Sequence, residues 1–324
     1  MKRQNMITGL ALCAVLLASA AHAGQAPAPA AQPAPQATQR PMVSCQRGGL
    51  QHAVRLYLEA QAKGDYSGLP LANGLGYSEN LKPADIKTGF LTKKLKIDKS
   101  LSIYDDQSCQ TFTEIVVTDK AEPWVVGVTL RVNHDKIAEI KVITTTTGYW
   151  LFNADNYLQY TSLENWGPIP VDRRDSRGTL VSAANAYMDA FLEGKIDLVP
   201  WGYPCVRVEG GMTTARGTDA DTCEAGVPAG VNITNRQFVV DEVLGSVVVW
   251  CNFGGGGNGS GAADTHLFRV ENGKLRYVHT ITNLLQSSFR GGPTGTNADN
   301  APGGARGAGA PARQGAPAGG AAPR

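Results

Sequence analysis

The chain carries one folding module twice, and this constrains its architecture more than any single motif. Leu180-Val181-Ser182-Ala183 takes the place of Leu50-Gln51-His52-Ala53 at a spacing of 130 residues (180 − 50). The match runs on without a gap through Tyr57 and Tyr187, Gly64 and Gly194, Pro70 and Pro200, and Glu79 and Glu209. Each copy begins with an amphipathic helix. Leu180, Ala183, Ala184, Tyr187, Met188 and Phe191 share one helical face, as do Leu50, Ala53, Val54, Tyr57 and Leu58. Gly64 and Gly194 stand where a helix C-cap enters the left-handed region. The copies also end alike. Arg131 to Ile137 aligns with Arg269 to Leu275 at a spacing of 138 (269 − 131), each giving a strand, a polar turn and a second strand. A helix pair followed by an antiparallel meander predicts an α+β class, helices packed on a sheet, and not a parallel α/β sheet.

The flanks read differently. Met1-Lys2-Arg3, the apolar stretch Ile7 to Ala18 and Ala21-His22-Ala23 make an export signal over residues 1–23, too short to span a bilayer. Cleavage is expected after Ala23, which places the protein in a secreted or periplasmic setting. Residues 24–42 are rich in Pro, Ala and Gln, and 290–324 in Gly, Ala and Pro; both read as solvated tethers. That leaves a first domain at 43–147, a second at 178–289 and a connector at 148–177. Trp150, Phe152, Tyr157, Tyr160 and Trp166 mark the connector as an ordered strap, because their burial offsets the entropy of ordering it. Without Lys2 and Arg3 the 30 basic residues fall to 28, equal to the 28 acidic ones. So balanced a chain lacks the clustered cations of a nucleic-acid or polybasic membrane binder, and no later segment is apolar enough to span a membrane.

Five cysteines follow the signal. In an oxidising compartment Cys45 and Cys109 form the natural pair of the first domain, and Cys205 and Cys223 staple a Gly-, Thr- and Asp-rich loop. Cys251, inside the apolar run Val247 to Cys251, is left as a buried thiol.

Several strings carry a family resemblance: Leu69-Pro70-Leu71-Ala72, Leu151-Phe152-Asn153-Ala154-Asp155-Asn156-Tyr157, Cys205 to Gly211, Val240-Asp241-Glu242, and Asp264 to Lys274. Over roughly residues 45–285 the chain resembles the secreted proteins grouped as domain of unknown function 8021, a family with no established reaction. The resemblance implies two cone-shaped nuclear transport factor 2-like (SnoaL-like) domains, each with a sheet curled around a pocket. That fold hosts dehydratases, isomerases and polyketide cyclases as well as non-catalytic binders, so fold alone does not assign function.

Chemistry is expected in the second domain. Alternation puts His266 and Phe268 on one strand face, His279 with Tyr277 on one face of the next strand, and Arg207 with Glu209 on one face of an earlier one. Acid–base candidates are His266, His279, Glu209 and Asp241; Arg207, Tyr187 and Phe268 are candidate substrate contacts. Tyr77 and Glu79 form a possible separate polar site in the first domain, which has Val128 and Lys141 in place of His266 and His279. The plain counter-readings are an ordinary Arg207–Glu209 ion pair and structural histidines. Bringing His266 opposite His279 requires a bulge at the Glu271-Asn272-Gly273 turn. No cofactor and no metal are expected, since there is no C-x-x-C pair and no third ligand at a diagnostic spacing. The expected partner is a small organic molecule. Two functions are carried forward: a cofactor-independent lyase, dehydratase or isomerase, and a non-catalytic ligand-binding or protein-interaction module.

Overall fold

A computed structural model describes residues 43–288, apart from 225, 228 and 256–259. The export signal, the 24–42 segment and the tail from 290 lie outside the described residues.

Helix α1 (Arg47–Lys63) buries Leu50, Ala53, Val54, Tyr57 and Ala60, and α3 (Arg177–Glu193) buries Leu180, Ala183, Ala184, Tyr187, Met188 and Phe191. The apolar stripe read from sequence is thus the packed face in both. Gly64 and Gly194 close them at φ 66° each, a conformation that a side chain would strain. Ser176 caps α3 by accepting a hydrogen bond from the Thr179 amide.

The first sheet contains β1 (Leu71–Glu79), β2 (Lys82–Pro83), β3 (Lys99–Asp105), β4 (Gln110–Val117), β5 (Trp124–Asn133) and β6 (Lys136–Thr145), in the order β2-β1-β6-β5-β4-β3. The second contains β7 (Trp201–Glu209), β8 (Met212–Thr213), β9 (Ile233–Asp241), β10 (Ser246–Phe253), β11 (Ala262–Glu271) and β12 (Lys274–Asn283), in the matching order β8-β7-β12-β11-β10-β9. Glu79 pairs with Val142 and Glu209 with Thr280, so the repeated glutamates hold equivalent places. Two expectations are corrected. Where a helix pair was expected, each module has one long helix, followed by turns in the first module and by a short 3-10 turn (Ile196–Leu198) in the second. Each sheet is mixed, because β1 and β7 run parallel to the last strand of their module.

The two sheets pack back to back. One face of each carries its own helix; the other joins a shared core containing Phe112, Val116 and Ile143 of the first sheet and Val248, Trp250 and Leu267 of the second. This explains the unbroken apolar run in β10. Val247, Val249 and Cys251 face α3 while Val248 and Trp250 face the other sheet, so both faces of the strand are dry. Two reciprocal clamps close the contact. Arg47 at the start of α1 forks onto Asp241 of the second module at 2.8 and 2.9 Å, and Arg177 at the start of α3 forks onto Asp105 of the first at 2.8 Å twice. Each aspartate also accepts a backbone amide from the opposite module, Tyr104 at 3.0 Å and Val240 at 2.9 Å. The duplication therefore makes an internal, two-fold-like pairing.

The connector is ordered. Its helix α2 (Ala154–Thr161) is capped by Asn153 and sinks Tyr157 into the shared core. Cys45–Cys109 and Cys205–Cys223 are disulfides and Cys251 is a buried free thiol, as read from sequence.

Candidate functional site

Strand register places the polar residues of the second module in rows under α3. His266 pairs with Thr280, and Thr280 with Glu209, so these three share one row and one face. The row on one side holds Cys251, Asp264 and Thr282; the row on the other holds Phe268, Val278 and Arg207. His266 lies among the rings of Tyr187, Phe191, Phe253 and Phe268, with centroids 5.8, 5.9, 6.4 and 6.1 Å away. The Tyr187 hydroxyl accepts a hydrogen bond from Arg207 at 3.3 Å, and Arg207 lies 3.6 Å from Glu209. Glu209 also accepts the indole N–H of Trp150, from the connector, at 2.8 Å. Burial pushes the Tyr187 phenol up despite the opposing pull of Arg207, so it stays a donor at neutral pH. Burial also pushes the Cys251 thiol well up, reinforced by Asp264.

Among the residues picked from sequence, the structure brings together His266, Phe268, Tyr187, Arg207 and Glu209. It separates two others from them. His279 pairs with Leu267, one position out of step with His266, and its side chain lies on the opposite face of the sheet. The turn has two central residues, Asn272 and Gly273, both at positive φ, and the bulge comes later, between Arg269 and Val270. That bulge sets Thr280, and not His279, against His266, so the two histidines do not address one bound molecule. The same irregularity recurs in the first module between Arg131 and Val132. His279 is instead held between Glu114 at 2.8 Å and Glu164 at 2.6 Å, wholly buried where β4, the connector and β12 meet. Burial alone would lower its pKa; the carboxylates of Glu164 and Glu114 outweigh this and push it up to about 10. Asp241 is likewise removed from the site by its clamp on Arg47. Both are structural ions.

Tyr77 and Glu79 also have a structural task. The Tyr77 hydroxyl donates to Glu79 at 2.6 Å, and Glu79 accepts the backbone amide of Phe90, tying the 84–93 loop to the first sheet. A Cβ at Gly89 would meet Tyr77 and Glu79, which is why the loop approaches through a glycine. Burial and Glu79 together raise the Tyr77 phenol. The first module has apolar Ile115, Val126, Val128 and Val142 where the second has Cys251, Asp264, His266 and Thr280.

Sequence reading passed over Thr280 and Thr282, although an Asp264-x-His266 strand facing a Thr280-x-Thr282 strand is a same-face pattern. Glu114 and Glu164 gave no comparable signal. The Cys205–Cys223 disulfide ties the loop between β8 and β9 to β7. Val231 of this loop donates its amide to the Phe191 carbonyl at 2.8 Å. Two clefts, about 510 Å³ along α1 and about 320 Å³ along α3, include none of the row residues.

Residues 173–282 match the family described as Domain of unknown function (DUF8021). The match spans most of the second module and all its polar rows, and is narrower than the 45–285 stretch over which the resemblance runs. No curated protein matches the chain. A solved structure similar to it is an NTF-2 like protein of unknown function from Burkholderia xenovorans LB400. That likeness is 15% identical and covers 33% of this chain and 84% of the other, with a TM-score of 0.24.

Proposed function

We propose that this is an exported protein whose second module, a nuclear transport factor 2-like cone, binds a small organic molecule and moves a proton on it without a cofactor, as lyases, dehydratases and isomerases do. One observation carries the reading. Thr280 Oγ1 is buried without a hydrogen-bond partner, between His266 and Glu209 in one row. Leaving such an atom unmet costs about 1–3 kcal/mol, which a fold tolerates most readily where a ligand meets it. Valines stand at the equivalent places, Val128 and Val142, in the first module. Two strand spacings separate His266 from Glu209, roughly 10 Å. Glu209 is the base that takes a proton beside a carbonyl, His266 returns one, and Tyr187 and Arg207 face the oxygen on which charge develops. The two disulfides support an exported setting.

Proton exchange at the carbon next to a carbonyl tests this, followed by NMR in D2O over a panel of small keto acids and β-hydroxy acids. Exchange with at least one of them should slow by about 100-fold or more in Glu209→Gln and His266→Leu, and stay unchanged in Tyr77→Phe. No exchange with any of them, or equal rates in the variants, would remove the enzymatic reading. The enclosed position of His266 favours a second reading, a non-catalytic binder, which predicts ligand-induced chemical-shift changes without exchange.

A further inference from the structure

The geometry points to a divalent transition-metal site in the second module, held by Cys251, Asp264 and His266. Cys251 and Asp264 are direct partners across β10 and β11, and His266 is two residues along the same face. All three side chains are buried, and one ligand atom from each lies within 4.8 Å of the others. The thiol is 3.7 Å from Asp264 Oδ1, and His266 Nδ1 is 2.6 Å from that same oxygen. That second approach lacks the alignment of a hydrogen bond, so the imidazole nitrogen is aimed into the cluster without a partner. A carboxylate oxygen and an imidazole nitrogen crowded on one point beside a thiol, inside an aromatic shell, are an arrangement a cation satisfies. Around tetrahedral zinc, with bonds of about 2.0–2.3 Å, neighbouring ligand atoms stand roughly 3.3–3.6 Å apart. The thiol–carboxylate pair, at 3.7 Å, stands just outside this range, and the imidazole, at 2.6 Å, needs to withdraw by about 0.7–1 Å. Asp264 Oδ2 accepts the Thr282 hydroxyl at 2.6 Å, which fixes the carboxylate and leaves Oδ1 for the ion.

One sulfur, one nitrogen and one oxygen ligand select zinc or cobalt over magnesium or calcium, and three protein ligands leave a fourth position for water or a substrate oxygen. On binding, the metal–sulfur bond replaces the S–H bond of Cys251 and the proton leaves to solvent. Sequence spacing carries no signal of this site. These ligands are assembled across a strand ladder and not along a motif. The first module, with Ile115, Val126 and Val128 at the three places, has no such set. The inference does not depend on turnover at Glu209.

The test uses the full chain with its disulfides intact, stripped with chelator and refolded in the presence of cobalt(II) chloride. One equivalent should bind, giving tetrahedral visible bands and a thiolate-to-cobalt charge-transfer band. Cys251→Ser should abolish the charge-transfer band, and Asp264→Asn should weaken binding by 100-fold or more. Glu209→Gln should leave the cobalt spectrum intact, which separates this site from the proton chemistry proposed above. Wild-type protein that refolds with its native circular dichroism but retains no stoichiometric cobalt would overturn the proposal. So would an unchanged charge-transfer band in Cys251→Ser.

Discussion

Replacing His279 with glutamine should destabilise the protein strongly and change how its stability depends on pH. His279 is the cation that two buried carboxylates share, and the Tyr157 hydroxyl and Trp166 indole donate to those same carboxylates at 3.1 and 2.8 Å. Its pKa rises from 6.5 to about 10 on folding. At about 1.36 kcal/mol per unit, that corresponds to roughly 5 kcal/mol of preference for the charged ring. Removing one member of a buried ion pair typically costs about 3–5 kcal/mol, because its partner is left buried and unpaired. Urea unfolding of His279→Gln, followed by tryptophan fluorescence at pH 7, should therefore show a loss of about 3–5 kcal/mol. The sign of the pH effect follows from linkage. The folded pKa lies above the unfolded one, so the contribution is complete below about pH 6.5 and is lost as pH rises through about 10. Wild-type stability should fall between pH 7 and 9 by up to about 1.4 kcal/mol per unit relative to the variant, which lacks the titrating ring. A variant within about 1 kcal/mol of wild type, or equal pH slopes for the two proteins, would refute the reasoning.

The reciprocal clamps predict that Arg47→Ala and Arg177→Ala cost similar amounts. Because the arginines are about a third exposed, each loss should be nearer 2 than 4 kcal/mol in denaturant titrations. Converting Cys205 and Cys223 together to alanine frees a loop of 18 residues, and calorimetry should show a loss of about 3 kcal/mol. Thr280→Val should be neutral or stabilising by up to about 1 kcal/mol in thermal melts while weakening ligand binding, because it removes a buried hydroxyl that has no partner.

The sequence by itself determined what local rules govern. Helical spacing and terminal glycines gave α1 and α3, alternation gave the faces of individual strands, and the two disulfides and the buried Cys251 followed from position within each module. The repeat reached further, since two equivalent glutamates imply two equivalent sheets. Tertiary structure decided everything that depends on register or on distant partners. One extra residue between Arg269 and Tyr277 moves Thr280, and not His279, opposite His266. Because side chains alternate with a period of two, that single step sends the two histidines to opposite faces. Asp241 read as an acid–base candidate until α1, 194 residues earlier in the chain, supplied Arg47. Glu114 and Glu164 meet His279 from 165 and 115 residues away, separations that leave no periodic trace in the chain. Cys251, Asp264 and His266 converge for the same reason: a strand ladder brings together residues that no spacing rule connects.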